Sequence, residues 1–210
     1  MSAVAKEHAE VHEEAVSEGR PLAWWGMVFF IASEALLFAN LIAAYLYLLV
    51  RQPHWPPPGN IPLELVSQGN ILPAINTVIL LSSSFPMIFA RRAMNQGKLK
   101  QVPWYILATI VLGAIFLMFQ GVEYGSLFAE GNTPSNGLVG STFFTLTGFH
   151  GAHVTGGVIF LLVQFFKGLR GGFTQKKHFS LLAAEMYWHF VDVVWIFVFS
   201  LVYLLPEFLK

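Results

Sequence analysis

Five apolar stretches alternate with shorter polar or proline-rich segments along the chain, near residues 24–50, 71–91, 103–126, 140–166 and 182–205. Each has about the 20 helical residues needed to cross a hydrocarbon layer of roughly 30 Å. Aromatic residues suited to the membrane–water interface stand at or near their ends: Trp24, Trp25, Trp55, Trp104, Tyr105 and Tyr203. The second stretch is the most polar, with Pro73, Asn76, Thr77, Ser82, Ser83, Ser84 and Pro86. Hydroxyl side chains can bond back to their own helix, so this stretch is still expected to span. The pattern predicts an all-α polytopic membrane protein, a bundle of five transmembrane helices without internal repeats.

Residues 1–22 are polar and acidic and lack the apolar core of a signal peptide. We expect a solvated N-terminal arm there, followed by a transmembrane domain over 23–210. Composition agrees: of 210 residues 55% are hydrophobic and 11% charged, with a mean hydropathy of +0.60. A soluble domain carries about a quarter charged residues. A net charge of zero gives no electrostatic footprint for nucleic acid. The absence of cysteine excludes disulfides, thiolate metal sites and a cysteine nucleophile.

Charge also orients the bundle. Five crossings put the arm on the same side as the segments 91–100 and 167–177, which leaves only Arg51 and Lys210 of the 12 Lys and Arg residues on the other. The positive-inside rule then places the N-terminus inside and the C-terminus outside. The outer segment "RQPHWPPPGNIPLELVSQGN" is stiffened by proline and suited to lie over a neighbouring surface. His54 within it reads as a solvated loop residue.

Ionisable residues inside spans are costly and usually face the bundle interior. Here they are Glu34, Glu123, His150, His153, Glu185, His189 and Asp192. Glu185, His189 and Asp192, at i, i+4 and i+7, share one stripe about 60° wide. Asp192 falls near the midplane, His189 shallower, and Glu185 close to the inner interface. His150 and His153 sit near the middle of the antiparallel fourth span, within reach of an Asp192–histidine contact. Glu34 is halfway down the first span, where a carboxyl can hold and exchange a proton. Glu123 lies near the outer end of the third, in reach of water or a backbone donor. Gly148, Ala152 and Gly156 form a small-xxx-small stripe for close helix packing.

Three readings fit these groups. A di-metal enzyme would need converging ligands such as Glu-x-x-His on two helices, and that motif does not occur. A stand-alone proton or ion transporter would need a continuous polar route, often with repeated halves. The favoured reading is structural: the groups satisfy one another and clamp the third to fifth helices together. Tyr187, Trp188 and Trp195 then serve as packing residues.

"GSTFFTLTGFHGAHVTGG" followed by "AAEMYWHFVDVVWIFVFSLVYLL" closely resembles the C-terminal half of subunit III of the heme-copper terminal oxidases. Upstream, "WGMVFFIASEALLFAN", "LPAINTVILLSSS" and "FQGVEY" are similar to that family's preceding helices, in order. The resemblance extends from Trp24 onward and is to the short five-helix bacterial form, of the plasma membrane. It implies an accessory subunit without catalytic residues, metal ligands or cofactor, with heme and copper in subunits I and II. It implies packing beside subunit I, bound phospholipid, support of proton uptake, and protection from inactivation during turnover. Glu34 matches the family's buried carboxylate associated with carbodiimide sensitivity; the other ionisable positions match recurrent interior polar sites. Longer members have two further helices walling a lipid-filled cleft. Cytochrome c is the expected electron donor. A quinol oxidase remains the alternative, similar subunits accompany some nitric oxide reductases, and a separate transporter is the reading from another class.

Overall fold

The computed structural model describes residues 22–52, 71–174 and 178–208. The N-terminal arm and most of the proline-rich segment, with Trp55 and His54, lie outside the described residues. Within them, α1 runs Leu22–Arg51, α2 Ile71–Ser82, α3 Ser84–Asn95, α4 Val102–Ala129, α5 Gly137–Leu169 and α6 Phe179–Phe199. A π-helical turn over Ser200–Leu204 and a last turn, α7 (Leu205–Phe208), extend α6. Among the described residues five helices are long and apolar enough to cross a membrane, α2 with α3 counting as one. No strand occurs among the described residues. The second span runs on to Asn95 rather than ending at Arg91, so Arg91 and Arg92 are helical. Their long stems let the charged heads reach water from a helical position.

The second span bends at Ser83. Pro86 has no N–H for the carbonyl of Ser82, four residues back, and its ring crowds that carbonyl, so the ladder breaks there. Ser83 is wholly buried. Thr109 Oγ1 of α4 donates to its carbonyl at 3.3 Å. Its own hydroxyl donates to Leu80 O at 2.6 Å and accepts Trp188 Nε1–H of α6 at 2.8 Å. The bend is therefore a junction of three spans.

The Trp188 indole fills a slot that two glycines leave open. A Cβ at Gly113 would lie 2.6 Å from its Cη2, and one at Gly157 would lie 3.0 Å from Cε3 and Cζ3. Around this slot α4 packs on α3 and α5, and α5 on α6, while α1 rests chiefly on α5 and α6. Near its C-terminal end α1 is fastened where the π turn sits: Tyr45 hydroxyl donates to Leu201 O at 2.9 Å. A π turn leaves carbonyls out of the regular ladder, and this one is taken by a neighbouring helix. Broad apolar surface, including Phe29, Leu36, Met118 and Val122, faces outward.

Candidate functional site: polar links between the spans

The stripe on α6 faces the bent second span. Arg91 of α3 donates from a guanidinium nitrogen to Glu185 Oε2 at 3.2 Å. Glu185 is buried, whereas the Arg91 side chain is 53% exposed, so the pair ties a dry carboxylate to the water-facing side. His189 Nε2 lies 3.9 Å from Glu185 Oε1, and its Nδ1 lies 2.9 Å from Ser84 Oγ. Ser84 Oγ is in turn hydrogen-bonded to Asp192 Oδ2. Asp192 thus meets a serine of the second span, not a histidine of α5 as the sequence suggested. The bend at Ser83 turns the first residue of α3 toward α6, an azimuth that hydropathy does not encode.

His153 of α5 does have a carboxylate partner, on α1. Its Nε2 is 2.9 Å from Glu34 Oε2, and its Nδ1 is 2.7 Å from Phe149 O. A carbonyl cannot donate, so Nδ1 carries a hydrogen. The Nε2–Glu34 bond therefore shares a second proton, either on the imidazolium or on the carboxylic acid. The pair is neutral as a whole in both forms, and Glu34 lies about midway along α1. Tyr187 of α6 reinforces the joint by donating to His153 O at 3.2 Å. At the opposite end of the bundle, Glu123 Oε1 accepts Tyr203 hydroxyl at 3.0 Å, so its donor is a side chain rather than backbone. The links join all five spans, not only the third to the fifth.

The family described as Cytochrome c oxidase subunit III matches residues 3–206. The chain belongs to that family. It is 41% identical over 189 residues to cytochrome c oxidase subunit 3 of Synechocystis sp., covering 89% of this chain and 78% of that protein. It is 40% identical over 184 residues to the human subunit 3, covering 85% of this chain and 68% of the human one. The bovine subunit 3 is 39% identical over 197 residues, 91% of this chain and 72% of that protein.

In this subunit III the remaining expected positions behave differently. His150 is fully buried, edge-on to Phe116 at 5.7 Å and tilted against Trp195 at 4.7 Å between ring centres. Neither ring nitrogen has a hydrogen-bond partner among the described residues. Asn76 Nδ2 donates to Phe116 O nearby at 3.1 Å, and Trp195 Nε1 to Thr77 Oγ1 at 2.9 Å. On the small-residue stripe, Ala152 and Gly156 are exposed. A Cβ at Gly148 or Gly156 would meet only tyrosine hydroxyls, at 3.5 and 3.6 Å. Tight approaches within the chain fall on other glycines: Gly113 and Gly157, which leave the slot for Trp188, and Gly168, where a Cβ would lie 2.8 Å from Pro103 Cγ. Among the described residues no three His, Asp or Glu side chains are grouped to hold a metal ion.

The partners of the α6 stripe are Ser84 and Arg91, which the sequence marks only as polar residues of the second span and its end; Ser83 serves Trp188. A signal was present: consecutive serines two residues before a proline inside a span mark a bend that turns hydroxyls toward other helices.

Proposed function

We propose that this chain is the accessory, cofactor-free subunit III of an aerobic terminal oxidase in a bacterial plasma membrane, with its N-terminus and arm (residues 1–22) in the cytoplasm. It braces subunit I, and the oxygen reduction and proton pumping take place on heme and copper in subunits I and II. The observation that carries this reading is that most ionisable side chains of the spans are taken up by one another. Glu34 goes to His153, Glu185 to Arg91, Asp192 and His189 both to Ser84, and Glu123 to Tyr203. Few donors remain to converge on a substrate or metal, while the outward apolar faces suit a partner subunit and lipid.

Two recesses fit phospholipid. A groove of about 150 Å³ between α1 and α5, lined by Leu41, Tyr45, Thr142 and Leu146, suits part of an acyl chain. A recess of about 340 Å³ beside Lys100, between the start of α4 and the end of α5, suits an anionic headgroup. The mid-membrane Glu34–His153 pair is the group we assign to support of proton uptake. The relatives' names favour cytochrome c over quinol as donor.

Affinity purification of the tagged chain from solubilised bacterial membranes tests the assignment. Heme absorbance and a copper-bearing partner should co-purify, and the complex should oxidise reduced cytochrome c. A chain that purifies alone and moves ions across vesicles would be a transporter instead. Glu34→Gln in the assembled oxidase should shorten its lifetime under turnover; unchanged rate and lifetime would remove the proton role.

A further inference from the structure

We propose that His189, Ser84 and Asp192 form a proton-loading site, which takes one proton from the Arg91 side of the membrane and stores it on Asp192. It is separate from the role assigned to Glu34, and different variants test it.

The hydrogens available to Ser84 set the behaviour of the site. Ser84 Oγ has one hydrogen and two neighbours, Asp192 Oδ2 and His189 Nδ1. When the hydroxyl donates to the Asp192 carboxylate, the histidine must present Nδ1–H to the serine oxygen. When the hydroxyl donates to Nδ1, the carboxyl must be protonated and donate to the serine. The serine thus couples the protonation of Asp192 to the tautomer of His189.

Loading then balances. A proton from water adds to Nε2 of His189, the edge facing Glu185, on a side chain that is 36% exposed. The imidazolium passes its Nδ1 hydrogen to Ser84 Oγ, and the serine's original hydrogen passes to Asp192 Oδ2. What remains is neutral His189 with Nε2–H, an intact hydroxyl and a carboxylic acid. No other reactant is needed, and the reverse sequence unloads the site. The proton moves inward by three helical residues, about 4.5 Å of depth.

The surroundings suit storage. Asp192 is the chain's only aspartate and 4% exposed, and its Oδ1 is buried with no hydrogen-bond partner among the described residues. Arg91 on α3 and Glu185 on α6 are the charges at the entrance. Of the other elements packed on α6, α2 carries no ionisable residue. From α5, His150 is wedged against Trp195 and His153 is engaged by Glu34 of α1.

The test uses infrared difference spectra of the purified oxidase containing this chain, recorded between alkaline and acidic buffers in H2O and D2O. Acidification should produce a protonated-carboxyl C=O band that shifts in D2O and disappears in Asp192→Asn. Asp192→Glu, which moves the band, makes the assignment if the Asn variant does not assemble. In Ser84→Ala the deuterium exchange of this band should slow by about tenfold, the factor one buried hydrogen bond can carry. Ser84→Thr should restore the rate. Absence of an Asp192 band in the unmodified oxidase, or equal exchange rates with serine and alanine at position 84, would overturn the proposal.

Discussion

Replacing Gly113 with alanine adds one methyl group at the point where three spans meet. Its carbon would stand 2.6 Å from Trp188 Cη2, 3.0 Å from Cζ2 and 3.2 Å from Val158 Cγ2. Favourable carbon contacts lie near 3.5–4.0 Å, so the ring is overlapped by about 1 Å. The indole has little room to withdraw. It is fully buried, Gly157 lies against its other edge, and its N–H is fixed on Ser83 Oγ at 2.8 Å. Overpacking of this kind costs about 1–3 kcal/mol, a shift of roughly 5- to 150-fold in the folded-to-unfolded ratio. The readout is the fraction of subunit III still bound to the oxidase after graded heating in detergent. Trp188→Phe alone should also weaken retention, by the lost hydrogen bond of about 1 kcal/mol and the missing ring volume. Combining the two should do less harm than their sum, since the smaller ring makes room for the methyl. Native-like retention of Gly113→Ala, or strict additivity in the double variant, would refute the slot.

Arg91→Met leaves Glu185 without its cation. Because Arg91 is half exposed, the loss should be about 1–2 kcal/mol in thermal retention, below the 3–5 of a fully buried pair, and Arg91→Met with Glu185→Met should recover part of it. Tyr45→Phe removes the hydroxyl held by Leu201 O and should cost about 1–2 kcal/mol. Amide exchange should then rise selectively in α1, and uniform exchange across all spans would count against this anchor. Pro86→Ala raises helix propensity yet should lower thermal retention, because a straight second span carries Ser83 off Trp188 and Ser84 off Asp192. A more stable Pro86→Ala oxidase would show that the bend is incidental.

The five spans were legible because hydropathy fixes depth, and depth needs no knowledge of neighbours. The common depth of Glu34 and His153 followed from counting residues along α1 and α5. What counting cannot give is azimuth. His150 and His153 are three residues apart, yet one is wedged between Phe116 and Trp195 while the other bonds Glu34. In the sequence the visible candidates to meet Asp192 are other ionisable groups, which points to a histidine on α5. The partner of Asp192 is a neutral serine, placed by a proline two residues further on. Spacing alone marks the small-residue stripe, whereas the glycines that allow close approach are set by bulky residues elsewhere in the chain, Trp188 at Gly113 and Gly157 and Pro103 at Gly168.

The π turn at Ser200–Leu204 gives α6 one more residue than a regular helix of the same rise would hold. The phase of the helix shifts across it by about 100° in all, one residue's worth of winding. Two attachments are made from within the turn: Leu201 O meets Tyr45 and the Tyr203 hydroxyl meets Glu123. Removing a single residue there would relax the helix to uniform winding and leave its length in the membrane almost unchanged. Both attachments would be carried out of alignment together, so the surplus residue acts as the angular offset by which the end of the last span is keyed to the first and third.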